Sequence, residues 1–214
     1  SRSSCALSPS GVEVGHSMGT QVALEVYRRA PSRVRGLVLL CGSYGNVTHT
    51  FHGSDMLHNV LPGILRFVDR NRGIARGLWG RIPVGLAFRL ARLSGEVDSL
   101  AIREEDFRHY SEHVVRMLPD VFFEMLRGAG DHSAEDLLPT IAIPTLVVAA
   151  ERDTFTPSTI ARHMAEAIPN AEFLMLPGGS HAAPVEQPST ILAALTDFLR
   201  RRVDPSLAAQ ASVV

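Results

Sequence analysis

A chain of 214 residues, 45% hydrophobic and 20% charged, is long enough to bury one sizeable core. Its formal net charge of -1 gives no electrostatic reason to bind nucleic acid or an anionic membrane, and no apolar run approaches the length of a membrane span. Two cysteines, Cys5 and Cys41, make no disulfide framework, so a reducing, cytoplasmic setting is expected.

All 21 basic residues are arginine, which reads as the codon composition of a GC-rich bacterial genome and carries no mechanistic weight. Residues 1–10 lack both periodicity and the positive-then-apolar pattern of a signal peptide, so an irregular leader or cut end is expected. Next comes a short apolar strand, Val12-Glu13-Val14, followed by Gly15-His16-Ser17-Met18-Gly19. Val22, Ala23, Val26, Tyr27 and Ala30 then fall on one helix face, and Pro31 ends the pattern. Taken bare, G-x-S-x-G is a common surface turn. Between a strand and a helix it predicts a nucleophile elbow, a turn sharp enough to thrust the serine Oγ out at the end of a sheet. A Cβ at Gly15 or Gly19 is expected to crowd the strand against the helix. Ser17 then stands at a helix N-terminus, where the dipole favours developing negative charge. The Met18 N–H becomes an oxyanion-hole donor.

Residues 36–41 form a continuous apolar run, suited to a parallel strand buried on both faces. The character then changes. Residues 46–135 read as helical patches over 55–69, 83–93, 104–118 and 120–126, broken by glycines and prolines that include Pro62, Gly73, Gly77 and Pro119. About ninety residues without a strand are too many for a loop and predict a helical lid. Strands return at 144–150 and 171–176. Between them Thr156-Pro157 supplies a cap and a first-turn proline for a helix. A last helix covers 188–202, and residues 203–214 read as a disordered tail. Alternating strand and helix implies a mostly parallel α/β sheet, with its core in residues 11–45 and 136–202.

Two loops at strand C-terminal ends carry the remaining chemistry: Glu151-Arg152-Asp153-Thr154 and Gly178-Gly179-Ser180-His181. In open parallel sheets, sites form at those ends. Ser17, Asp153 and His181 would converge there in the chain order Ser…Asp…His. Serine needs a base within hydrogen-bond reach, and the acid orients the imidazole and stabilises the imidazolium. Asp55 and Glu151 are reserve candidates for the acid.

From Val12 to about Arg202 the chain resembles the α/β-hydrolase superfamily, in its lid-bearing group of serine esterases and related hydrolases. The matching pieces are Gly15-His16-Ser17-Met18-Gly19, Glu151-Arg152-Asp153-Thr154-Phe155-Thr156-Pro157, and Gly178-Gly179-Ser180-His181 followed by Glu186-Gln187-Pro188. The elbow serine sets it apart from the dehalogenase and epoxide hydrolase branches, which place aspartate there. One departure stands out. The family typically carries four strands before the elbow, and the loop after the third supplies a second oxyanion N–H. Only ten residues stand here before the core, so a fragment is expected, with the elbow strand left as an apolar edge.

Other signals have plainer readings. His109-Tyr110-Ser111-Glu112-His113 matches a zinc-protease pattern, but a polar helix face explains it without a third ligand. His49, His52 and His58 are irregularly spaced, His16 reads as packing under the elbow, and Arg70, Arg72, Arg76 and Arg81 read as a solvated face. Leu57, Val60, Leu61, Phe67 and Trp79 make the lid apolar enough to line an acyl pocket. The expectation is a serine hydrolase acting on a small hydrophobic carboxylic ester through Ser17, His181 and Asp153, with no metal or organic cofactor. The alternative is a truncated remnant that binds a small apolar ligand or does not fold alone.

Overall fold

Strand β2 (Val34–Leu40) is apolar at nearly every position because helices cover both of its faces. Leu37 and Leu39 pack with Ala23, Leu24 and Met164 on one side, while Val38 and Leu40 pack with Ile191 and Phe198 on the other. The computed structural model describes residues 10–50, 54–79 and 116–204, with positions 81, 83, 85, 89, 105 and 108 between them. The helices expected over 83–93 and 104–118, the leader and the tail lie wholly or mostly outside the described residues.

Among the described residues the sheet is four-stranded and parallel, in the order β1 (Gly11–His16), β2, β3 (Thr145–Ala150), β4 (Ala171–Leu176). Its register aligns the carboxyl ends: His16 lies beside Leu40, Leu40 beside Val148, and Ala150 beside Leu176. The residues that follow β1, β3 and β4 therefore emerge along one rim. Parallel neighbours need crossovers. Helix α1 (Met18–Arg29) joins β1 to β2, a long stretch whose described part is largely helical joins β2 to β3, and Ser158–Ala167 joins β3 to β4. Every residue of β3 is buried. Strand β1 is paired with β2 alone among the described strands, and Val14 is 52% exposed.

The helical stretch leaves and re-enters the sheet through a narrow neck. Asn46 N–H donates to the His132 carbonyl at 3.0 Å and Ala134 N–H to the Tyr44 carbonyl at 2.9 Å, flanking an antiparallel bridge between Gly45 and Ser133. A Cβ at Gly45 would run into the His132 carbonyl. Within the stretch stand α2 (Val47–Thr50), α3 (Met56–Arg70), α4 (Arg72–Trp79) and α5 (Pro119–Asp131). The sequence signals misplace two of these. Gly73 and Gly77 do not interrupt α4, whose Trp79 packs on Phe122 and Phe123 of α5 with ring centroids 5.1 and 5.6 Å apart, so tertiary contact overrides glycine's poor propensity. Pro119 opens α5 in its first turn, where a missing N–H costs nothing. Buried Gln21 of α1 donates from Nε2 to the Ala129 carbonyl at 2.8 Å, tying this stretch to the helix behind the elbow.

After β3, α6 (Ser158–Ala167) begins later than Thr156-Pro157 suggested: Pro157 holds the N-cap position and no side chain caps it. The Thr156 hydroxyl is engaged elsewhere. Helices α7 (Ala183–Glu186) and α8 (Pro188–Phe198) complete the second layer. No helix among the described residues is long and apolar enough to cross a membrane.

Candidate active site

Ser17 occupies the turn between β1 and α1 at φ 56°, ψ -124°, a conformation strained for any residue with a Cβ. The neighbours over-determine it. Ser17 N–H donates to the Leu40 carbonyl at 3.0 Å, and the Ser17 carbonyl accepts from Thr20 N–H at 3.0 Å. Gly15 is required because a Cβ there would strike the Gly19 carbonyl, and Gly42 because a Cβ there would strike the Thr20 side chain. The expectation for Gly19 is corrected: a Cβ at that position meets no atom within 4 Å. Met18 is the first residue of α1, so its N–H is among those a helix leaves without an internal partner.

Asp153 is held by its own loop. Buried Asp153 accepts from Phe155 N–H at 2.9 Å and Thr156 N–H at 2.8 Å on Oδ1, and from the Thr156 hydroxyl at 2.8 Å on Oδ2. Its two oxygens also lie 3.1 and 3.0 Å from His181 Nδ1, and His181 Nε2 lies 2.9 Å from Ser17 Oγ. An ionised carboxylate only accepts, so Nδ1 carries the proton and Nε2 is left to accept from the serine hydroxyl. The Asp153 side chain is 0% exposed and that of His181 12%. Phe155 stacks on the imidazole at 4.9 Å between ring centroids. Ser17, His181 and Asp153 are thus brought into one hydrogen-bonded chain at the carboxyl rim of the sheet.

The loops after β3 and β4 are braced against each other. Glu151 accepts from Gly178 N–H at 2.8 Å, Arg152 Nε donates to the Gly178 carbonyl at 2.8 Å, and Arg152 N–H donates to the Gly179 carbonyl at 2.8 Å. Glu186 accepts from Ser180 N–H at 2.8 Å and from its hydroxyl. Glu151 is therefore a brace between the two loops. Asp55, the other reserve, pairs with His49 Nδ1 at 2.8 Å on the exposed helical stretch. His49 also stacks on His58, while His52 and the segment 109–113 lie outside the described residues. Arg72 and Arg76 pair with Asp69 and Asp120. Among the described residues no group of three or more His, Cys, Asp or Glu is placed to hold a metal ion.

Two further groups border Ser17, His181 and Asp153. His16 does more than pack: its Nε2 lies 3.1 Å from the His181 carbonyl, and burial, reinforced by the neighbouring His181, holds its pKa below the ordinary histidine value. Burial, with the charges of Asp153 and Glu186, pushes the Cys41 thiol up to about 12, so it stays protonated and is no rival nucleophile. Sequence reasoning missed the roles of Thr156 and Phe155, although the Asp153-x-Phe155-Thr156 spacing suits an aspartate that caps its own turn. Glu186 offered no local signal.

A family model described as the alpha/beta hydrolase family matches residues 13–195. The chain belongs to that family. Among curated relatives, "Putative carbamate hydrolase RutD" of Klebsiella pneumoniae subsp. pneumoniae is 27% identical over 188 residues, covering 87% of this chain and 64% of the relative. The chain thus spans less than two thirds of that relative's length. The pimeloyl-[acyl-carrier protein] methyl ester esterase of Stenotrophomonas maltophilia is 27% identical over 197 residues, covering 91% of this chain and 71% of the esterase. A malate-bound thermophilic esterase from Thermogutta terrifontis shares the fold with a TM-score of 0.65 and 24% identity, over 90% of this chain and 65% of that one. A hydrolase from Oleispira antarctica gives 0.68 and 18%, over 91% and 66%.

Proposed function

We propose that this chain carries the chemistry of a serine hydrolase acting on a small carboxylic ester with a hydrophobic acyl or alcohol part. The observation that carries the reading is the chain Asp153–His181–Ser17, with 3.0 Å at its first link and 2.9 Å at its second. Ser17 Oγ attacks the ester carbonyl while His181 Nε2 takes its proton. The oxyanion is held by the Met18 N–H and the positive end of α1. Collapse expels the alcohol, which takes the proton from the imidazolium and leaves an acyl-Ser17. A water activated by His181 attacks that acyl group, and Ser17 is regenerated with release of the acid. Asp153 holds the Nδ1–H tautomer and stabilises the imidazolium throughout.

Residues 46–135 are proposed as a lid over this rim. Support comes from the neck at Gly45 and Ser133 and from exposed apolar side chains on α3 and α4, among them Met56, Val60, Phe67, Ile74 and Leu78. An esterase among the relatives supports the ester reading, and the carbamate-hydrolase relative makes aryl carbamates the natural comparison. The test is turnover of short-chain aryl esters and matched aryl carbamates by the wild type and by Ser17→Ala. Ser17-dependent ester hydrolysis is expected. Ester hydrolysis that survives in Ser17→Ala, or ligand binding without any turnover, would overturn the proposal.

A further inference from the structure

The nucleophile and the base come from opposite sides of the described sheet. Ser17 follows β1 and His181 follows β4, with β2 and β3 between them. The braces on Gly178, Gly179 and Ser180 come from residues 151, 152 and 186, within the β3–β4 half. They fix the histidine loop against its own neighbours in that half.

We propose that His16 is a positioning residue that ties the His181 main chain to the nucleophile strand and so sets the reach from His181 Nε2 to Ser17 Oγ. The inference rests on reading Ser17 and His181 as nucleophile and base. His16 is the residue immediately before Ser17, and its Nε2 lies 3.1 Å from the carbonyl of His181, across 165 residues of sequence. A carbonyl oxygen only accepts, so Nε2 of His16 carries the proton and donates. The two rings stand 5.2 Å apart and tilted by 38°, so one side chain touches both the main chain and the ring face of the base. A shift of about 1 Å in such a pair slows chemistry by roughly a hundredfold. The titratable groups facing His16 are His181 and Asp153; with His16 held neutral by burial, no second positive charge opposes the imidazolium that forms in each acyl transfer.

The chemistry selects the variants. Glutamine carries its Nε2 amide the same number of bonds from Cβ as the histidine Nε2, asparagine ends one bond short, and leucine fills space without donating. Ser17 phosphonylation by a fluorophosphonate, in which Oγ bonds to phosphorus and fluoride leaves, is followed in wild type, His16→Gln, His16→Asn and His16→Leu, with thermal unfolding alongside. Expected is a roughly ten- to hundredfold slower phosphonylation in His16→Leu and His16→Asn, with most of the rate restored in His16→Gln and little change in the concentration giving half-maximal rate. Equal rates in all four proteins would overturn the inference, as would equal slowing in Gln and Leu variants that melt like wild type. Should the Leu variant unfold, the Gln–Asn pair decides in the same way. A second readout needs no catalysis: the exchange-protected proton on His181 Nδ1, seen by NMR, should persist in wild type and His16→Gln and be lost in His16→Leu. An unchanged proton in His16→Leu overturns the inference even if Ser17 proves unreactive. That unreactivity would instead count against the proposed hydrolase chemistry.

Discussion

Asp153 and His181 are held through their own side chains: the Phe155 and Thr156 N–H groups and the Thr156 hydroxyl grip the carboxylate, Phe155 stacks on the imidazole, and Glu151, Arg152 and Glu186 pin the loop that presents it. Ser17 is positioned by backbone. It sits at positive φ, its N–H is fixed to Leu40, and two glycines let main chain and side chain approach where a Cβ would collide. A side-chain brace is one of several and its loss is shared among the rest. A close backbone approach has no substitute. The nucleophile half is therefore expected to be the brittle one and the acid–base half the tolerant one, except at the residues that touch the reacting atoms.

The largest effect should come from those atoms. Ser17→Ala is expected to lower Ser17-dependent turnover by roughly 10⁴–10⁶ while leaving the melting temperature near wild type, read by kinetics and thermal unfolding on the same sample. Asp153→Asn comes next, at about 10⁴ in kcat, because its amide presents a donor to Nδ1 and favours the wrong tautomer. One amide oxygen still serves Phe155 and Thr156, so the fold should survive. The contrast in brittleness itself is sharpened by two glycines on one turn. Gly15→Ala drives a methyl into the Gly19 carbonyl and should destabilise by about 1–3 kcal/mol in denaturant titration, with activity falling too. Gly19→Ala meets open space within α1 and should be neutral or stabilise by up to about 1 kcal/mol. The smallest change is Arg152→Ala, which removes an exposed brace on the Gly178 carbonyl and should cost about 0.5–1.5 kcal/mol with little loss of turnover. A large loss of activity from Arg152→Ala alongside a silent Gly15→Ala would invert the comparison.

Much of this was legible because it is local. The elbow is a contiguous strand–glycine–serine–glycine–helix run, and Val34–Leu40 and Thr145–Ala150 are apolar because both of their faces are covered. The loops bearing Asp153 and His181 follow strands whose ends the parallel register aligns. What escaped is what depends on contact. Thr156 looks like a cap until Asp153 takes its hydroxyl, and α4 looks broken at Gly73 and Gly77 until Trp79 lies on Phe122. His16 looks like packing until the loop after β4 brings the His181 carbonyl to its Nε2. Glycine likewise has two meanings that one sequence does not separate: Gly15 is required by a neighbour nearby in the chain and Gly42 by Thr20, whereas Gly19 faces open space.

The central claim is that Ser17, His181 and Asp153 act together on an electrophile. Its most direct test is fluorophosphonate labelling of the purified 214-residue chain, with the adduct located by mass spectrometry of its peptides. A single adduct on Ser17, absent from Ser17→Ala and far slower in Asp153→Asn, is the predicted result. An unlabelled chain, or an adduct formed equally well with Asp153 replaced, would contradict it.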